Sequence, residues 1–170
     1  MARYGAWQNR NIITVADQLS DEARRMDRGV FFGSVFGTLN HLLWADRMWM
    51  HRFAGAGEPQ MSLNKDSIHE TGTWQEYCSC REVMDGTIHG WATKIEPDWF
   101  SGNVTWWSSS AEREMTKPKS ILVTHFFNHA THHRGQVHAM LTAAGAKPKV
   151  TDLPLLPDEF AWPAPMHRSI

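Results

Sequence analysis

Histidines are concentrated in one segment of the chain, and imidazole is a side chain that binds metal ions and carries protons. Four of the ten histidines lie within nine residues, at positions 125, 129, 132 and 133. His129 and His133 are four residues apart, so on a helix they face the same side and can bind one ion together. A lone histidine on an apolar face is more often a core residue that is hydrogen-bonded, but two in phase within so dense a group favour a metal site.

The segment that carries these histidines has the pattern of one long helix, from about Pro118 to Ala144. Pro118 suits the first helical turn and Gly145 suits the position just past a helix end. At about 100° per residue, His129 and His133 lie near the middle of an apolar stripe made of Leu122, Phe126, Val137, Met140 and Ala144. His125 lies on one flank of the stripe, where it is either a candidate general base or a hydrogen-bond partner of a ligand.

Two imidazoles make an incomplete site, so we expect a third ligand from another helix. The best candidate is His41, in the apolar segment GTLNHLLWADRMWMHRF. Gly37 and Ala45, one turn to either side, are small, and we expect them to leave room for an ion and a bound molecule. The alternative is a core histidine bonded to a backbone carbonyl or to a buried threonine.

These pieces resemble the DinB / YfiT-like family of metal-dependent proteins, which is distinct from the DNA polymerase that shares the DinB name. The matching stretches spread in family order over nearly the whole chain: Tyr4 to Arg10, Ser34 to Arg47, Phe127 to Gln136 and Thr151 to Leu153. The resemblance implies that His41, His129 and His133 bind a divalent metal. It also implies a homodimer. Gly5 departs from the family pattern, which more often has Asn at that place.

The remaining elements predict an all-α fold, a four-helix bundle in a single domain over residues 1–170. We expect a first helix from Tyr4 to Leu19, a second from Phe32 or Ser34 to Phe53, and a third from a T-x-x-E capping box at Thr73 to about Ile95. A short β-hairpin is expected from the segments 102–107 and 113–117, before the last helix. A Pro-rich tail, from Pro148 to Pro165, should be extended and pack its leucines 153, 155 and 156 on the body.

Three connecting features carry further expectations. The charged link over residues 20–29 should be a solvated turn, and the long connection 55–72 should cross one end of the bundle and border the site. Asp46 should pair with a basic residue on another helix, for which Arg134 is a candidate. Cys78 and Cys80 diverge on a helix, so we expect packing residues rather than a disulfide or a metal site.

Composition excludes several classes of protein. The formal net charge is -1 and the basic residues are scattered, which disfavours a nucleic-acid surface. No apolar run approaches the roughly 18 residues of a membrane span, and no apolar signal segment follows the N-terminus, so we expect a cytoplasmic protein. Several of the nine tryptophans are expected to line a cavity or a subunit interface.

Three neutral imidazoles favour Zn, Ni, Fe(II) or Cu over Mg or Ca, and three protein ligands leave an open coordination position. Three functions then remain open. The first, which the resemblance implies, is a metal-dependent transferase that moves a low-molecular-weight thiol onto an electrophile. The second is a metal-dependent hydrolase that acts on a small-molecule substrate through water. The third is a non-catalytic metal-binding protein, such as the damage-inducible stress proteins for which family members are named.

Overall fold

The computed structural model describes residues 1–109 and 111–160, and helices dominate it. The α-helices span Ala2–Ala16 (α1), Asp21–Arg25 (α2), Val35–Ala54 (α3), Trp74–Ala92 (α4) and Lys119–Ala143 (α5). An antiparallel hairpin of Asn103–Ser108 (β1) and Arg113–Pro118 (β2) precedes α5. Short 3-10 helices span Asn64–His69, Pro97–Ser101, Leu153–Leu155 and Asp158–Phe160. Within this part of the chain, no helix combines the length and the apolar character needed to cross a bilayer.

The four long helices form the predicted bundle, in which α1 and α3 each contact both α4 and α5. The core lies between them, and all four helices contribute side chains that are almost inaccessible: Ala16, Leu39, Leu43, Met50, Tyr77, Val137 and Leu141. The apolar stripe predicted for the last helix faces this core, since Leu122, Phe126 and Met140 are also buried. This phase fixes which histidines of α5 point inward.

Helix ends follow the sequence signals closely. The Ser34 hydroxyl accepts a hydrogen bond from the Gly37 N–H at 3.0 Å and so caps the start of α3. At the start of α4, the Thr73 hydroxyl accepts from the Glu76 N–H, and the Glu76 carboxylate accepts from the Gly72 N–H. Gly55 ends α3 in the left-handed conformation, with φ of 64°.

The charged link after α1 is solvated over most of its length, as predicted, but it contains a short helix and one buried arginine. Ser20 caps the short helix α2, and Arg24 within it is buried. Its guanidinium donates to the carbonyl oxygens of Ala16, the last residue of α1, and of Leu19 just beyond it. It also lies 4.7 Å from the centre of the Trp74 ring. The prediction was wrong for Arg24 alone, because a long cation can satisfy carbonyls left free at a helix end.

Asp46 pairs with Arg81 of α4 rather than with Arg134. The Arg81 guanidinium donates to the Asp46 carboxylate at 2.6 Å and lies 2.9 Å from Asp85, and the Asn9 side chain donates to Asp85 at 2.8 Å. Arg134 is buried nearby, with its guanidinium carbon 6.0 Å from the centre of the Tyr4 ring. Burial lowers the pKa of Arg134, and the charge of Asp46 opposes this effect only in part. The two arginines and two carboxylates form one polar cluster inside the bundle.

The C-terminal tail is extended only in part. Two single 3-10 turns interrupt it, and Leu153 and Leu155 remain 41% and 56% exposed, so the expectation that both would be buried was wrong. Leu156 and Phe160 do approach the body, beside the start of α1. The predicted continuation of the tail to Pro165 lies outside the described residues.

Candidate metal centre

The structure brings His41, His129 and His133 together at one point between α3 and α5. Nε2 of His129 lies 3.2 Å from Nε2 of His41 and 3.2 Å from Nε2 of His133. A single ligand nitrogen from each residue falls in a group whose members are all within 4.8 Å of one another. His41 and His133 are buried, and His129 is partly accessible from one side.

Hydrogen bonds around His41 determine which of its nitrogens carries the proton. The Ser67 hydroxyl donates its one hydrogen to the carbonyl oxygen of Asn64 at 2.6 Å. Nδ1 of His41 lies 2.9 Å from the same hydroxyl oxygen, so Nδ1–H must be the donor there. The lone pair of His41 is therefore on Nε2, the atom that faces the other two histidines.

His133 is oriented in the same way by a residue of its own helix. Its Nδ1 lies 2.7 Å from the side-chain oxygen of Gln136, which can only accept, so Nδ1 carries the proton and Nε2 the lone pair. Gln136 follows His133 by three positions, a spacing that reaches the same helix face. Two lone pairs thus converge on His129, whose single Nε2 hydrogen could satisfy only one of them.

The site favours neutral imidazoles. Burial, followed by the charges that His129 and His133 would carry, lowers the pKa of His41 to about 3. Burial and the neighbouring histidines 133, 125 and 132 lower the pKa of His129 to about 3 as well. Burial also lowers the pKa of His133, and the Gln136 hydrogen bond opposes this effect. All three side chains are consequently neutral near pH 7, which is the form that binds a metal.

The His41 ring stacks with two aromatic rings. The distance between ring centres is 3.8 Å to Phe32 and 5.7 Å to Trp44. Gly37 does not leave the open space that was predicted, because a methyl group at this position would collide with the carbonyl oxygen of Phe32. The small residue instead lets the chain before α3 approach closely enough for Phe32 to reach His41. Ala45 lines the pocket beside the cluster, as expected.

The long connection after α3 borders the site, as its length indicated. A buried carboxylate, Glu70, anchors it by pairing with Arg47 and accepting from the backbone N–H groups of Gln60 and Met61. Asn40 accepts from both the N–H and the hydroxyl of Thr71. These contacts fix the 3-10 helix that presents Ser67 to His41.

A cavity of about 460 Å³ opens beside the three histidines. Its walls are largely aromatic, with Trp44 and Trp49 from α3 and Trp106 and Trp107 from the hairpin. Trp106 packs edge-on against Trp49 at 5.7 Å, so the hairpin covers this cavity. These contacts place four of the nine tryptophans at a cavity, one of the two locations expected. Arg52, also from α3, is the cation that lines the described part of it.

The other candidate residues lie at varying distances from the cluster. His125 lines the cavity, and its ring centre is 5.4 Å from that of His129 and 5.6 Å from that of Trp49. Burial lowers the His125 pKa, so this imidazole too is neutral near pH 7. His89 lines a different pocket, between α1 and α4. Cys78 and Cys80 are free thiols that pack against the core, as predicted.

Ser67, Phe32 and Arg52 were not identified from the sequence as members of the site. Ser67 lies in a short 3-10 helix within a long connection and Phe32 in the turn before α3, where no extended periodicity gives a direction for a side chain. Arg52 follows His41 by eleven positions, which is close to three helical turns, so its spacing could have placed it on the same face of α3.

The residues fit a divalent transition metal. Zinc binds histidine nitrogens at about 2.0–2.1 Å, so tetrahedral geometry places neighbouring ligand nitrogens about 3.3–3.4 Å apart. The two 3.2 Å separations come close to this value. Both Nδ1–H groups already have acceptors, the arrangement by which proteins orient metal-binding histidines. The donor set, three nitrogens and no carboxylate, suits Zn, Ni or Fe(II) better than Mg or Ca.

Comparisons with known proteins give a family match and one relative. The family model described as the DinB family matches residues 1–163. Protein DinB of Bacillus subtilis (strain 168) is 22% identical over 149 residues, which cover 88% of this chain and 87% of the relative. No solved structure gives a significant match.

Proposed function

The chain belongs to the DinB family, and we propose that it binds one divalent transition metal through His41, His129 and His133 and serves as a metal-dependent thiol S-transferase. The observation that carries the proposal is the convergence of three Nε2 atoms, two of them with lone pairs fixed by Ser67 and Gln136. Such an arrangement is electrostatically unfavourable without a cation, because lone pairs that face one another repel.

A divalent metal held by three neutral ligands would supply Lewis acidity, which at neutral pH would favour the deprotonated form of a bound thiol. The chain provides the rest. The aromatic walls, including Trp49 and Trp106, would exclude water from the thiol and its electrophile. His125, neutral near pH 7, is the candidate acceptor for the thiol proton. The sulfur then forms a bond to carbon, and the leaving group departs with its electron pair.

The composition of the pocket favours transfer over hydrolysis. Metal-dependent hydrolases commonly use a glutamate beside the metal as general base. Among the described residues that line the cavity, none is Asp or Glu. A hydrolase would have to rely on His125 alone to take a proton from water. A thiol has a lower pKa than water, so a weaker base is enough to take its proton.

The test is a conjugation assay with full-length protein loaded with Zn, Ni or Fe(II). A panel of low-molecular-weight thiols is offered with a chromogenic electrophile, 1-chloro-2,4-dinitrobenzene, and product is followed by absorbance. We expect conjugation that is lost on chelation and in His129→Ala. Turnover of ester substrates without any thiol would favour the hydrolase, and tight metal binding with no turnover in either assay would favour a non-catalytic metal-binding protein.

A further inference from the structure

We infer that Arg52 binds a carboxylate on the small molecule that occupies the cavity, so that the ligand is anionic rather than neutral. The inference deepens the proposed function, because it assigns a substrate class to the same cavity. Its evidence is separate, however, since it rests on one arginine of α3 and on the hairpin and not on the three histidines.

Arg52 is held in place by two tryptophans. Its guanidinium carbon lies 4.9 Å from the centre of the Trp49 ring and 5.2 Å from that of Trp106. Cation–π contacts of this kind orient the planar group and leave its N–H donors at the edge available. The side chain is partly buried and lines the same cavity as the histidine cluster.

The charge of Arg52 has no carboxylate partner within residues 1–109 and 111–160. Two other arginines in the bundle do have one, since Arg47 pairs with Glu70 and Arg81 with Asp46. Burial lowers the pKa of Arg52 to about 10, and no neighbouring acid offsets this effect. A partly buried cation in an aromatic pocket is costly unless an anion or a hydrogen-bond acceptor satisfies it. A carboxylate matches the two parallel donors of a guanidinium.

The position of Arg52 relates this subsite to the histidine cluster. Eleven residues separate it from His41, so both lie on one face of α3, with Cα atoms about 16 Å apart along the axis. Ala45 and Met48 line the cavity between them. Helical side chains lean toward the N-terminus, which brings the guanidinium nearer to His41 than its Cα is. A ligand with a carboxylate at one end and an electron-pair donor at the other could reach both ends.

The experiment uses full-length protein kept free of metal with a chelator, so that a carboxylate cannot bind an ion instead. The probes are 3-phenylpropionate and 3-phenylpropionamide, which have the same ring and length but differ in charge. Binding is measured by calorimetry and by quenching of tryptophan fluorescence, since four tryptophans line the cavity. The variants are Arg52→Gln and Arg52→Lys, with Arg113→Gln, an exposed residue of β2, as the matched control.

We expect the wild type and the control to bind the acid about 10- to 100-fold more tightly than the amide, as for a hydrogen-bonded charge pair. Arg52→Gln should lose this preference, and Arg52→Lys, which tests the same point if the Gln variant does not fold, should retain only part of it. Equal affinity of the wild type for the two probes, including no detectable binding of either, would overturn the inference. So would an unchanged preference in a folded Arg52→Gln variant.

Metal content separates this inference from the proposed function. Arg52→Gln should take up as much metal as the wild type, because Arg52 is not a ligand. If the wild type takes up no metal but still prefers the acid through Arg52, the proposed function fails and the carboxylate subsite stands. If the wild type takes up metal but shows no preference for the acid, the carboxylate subsite is refuted and the metal site of the proposed function stands.

Discussion

The oxygen of the Ser67 hydroxyl lies 2.9 Å from Nδ1 of His41. The serine hydrogen is used by the carbonyl of Asn64, so the hydroxyl can only accept from the imidazole. A residue in an irregular connection thereby determines which nitrogen of a helix residue faces the candidate metal. The same connection is anchored by the buried Glu70, which accepts from backbone N–H groups within it. The contacts that hold the connection therefore also hold Ser67 beside His41.

Replacement of Ser67 should weaken metal binding without removing a ligand. We expect Ser67→Ala to lower the affinity for zinc about 10- to 100-fold, because His41 loses the group that orients its ring and sets its tautomer. Affinity is measured by competition with a chromophoric chelator. Ser62→Ala, in the same connection and at the cavity wall, is the matched control and should bind as the wild type does. Equal affinities for the two variants would show that Ser67 does not orient a ligand.

Gly37 should be intolerant of the smallest side chain. Its added methyl group would meet the Phe32 carbonyl, so Gly37→Ala should lower the free energy of unfolding by about 1–3 kcal/mol. Gly86→Ala, in the middle of α4 with open space around its Cβ position, should instead raise it by up to about 1 kcal/mol. Urea unfolding of the two variants decides the matter. A Gly37→Ala variant as stable as the wild type would contradict the close approach of Phe32.

The buried charge cluster of the bundle should be sensitive to the loss of one partner. Arg81→Met leaves the Asp46 carboxylate buried without its cation and should cost about 3–5 kcal/mol of unfolding free energy. Adding Asp46→Asn should recover part of that loss, because no charged carboxylate is then buried alone at position 46. Arg113→Met on the exposed strand β2 should change stability by less than about 0.5 kcal/mol. Additive losses in the double variant would show that Asp46 and Arg81 are not coupled.

The stability of the metal-free protein should fall as the solution becomes acidic. The pKa values of His41 and His129 are about 3 in the folded chain and near 6.5 when unfolded. Below pH 6.5 the unfolded state therefore binds protons that the folded state does not, and folding is penalised until the folded-state pKa is reached. Between pH 7.5 and 5.5 each of the two groups should cost about 1.4 kcal/mol, so we expect a total loss of about 2.5–3 kcal/mol in urea unfolding with a chelator present. A His41→Gln/His129→Gln variant should show a shallower fall, and a wild type with flat stability over this range would refute the depressed pKa values.

The sequence was most informative where structure is periodic. Helical phase alone selected His129 and His133 over His125 and His132, and the apolar segment around His41 made it the best candidate for the third ligand, which the family resemblance also implied. The helices, the hairpin and the capping box at Thr73 follow from local rules that act within a few residues.

Local rules of this kind do not predict contacts between segments that are distant in the sequence. Asp46 pairs with Arg81 rather than with Arg134, and this choice depends on how α3 and α4 are rotated against each other. Both arginines lie close to Asp46, so the sequence alone does not show which of them pairs with it. Arg24 looked like part of a solvated link because its acceptors are backbone carbonyls, which the sequence does not display. Gly37 was expected to leave space for a bound molecule. Instead, its lack of a side chain lets the backbone at Phe32, just before α3, pack closely against the helix.

Elemental analysis of protein purified without a histidine tag, wild type beside His129→Ala and the control His138→Ala, tests the central claim most directly. His138 lies on the same helix outside the cluster, where its Nε2 is 3.4 Å from the carbonyl oxygen of Lys149. We expect about one transition metal per chain in the wild type and in His138→Ala, and loss of that metal in His129→Ala. A wild type that remains empty after incubation with Zn, Ni and Fe(II) would contradict the three-histidine metal site.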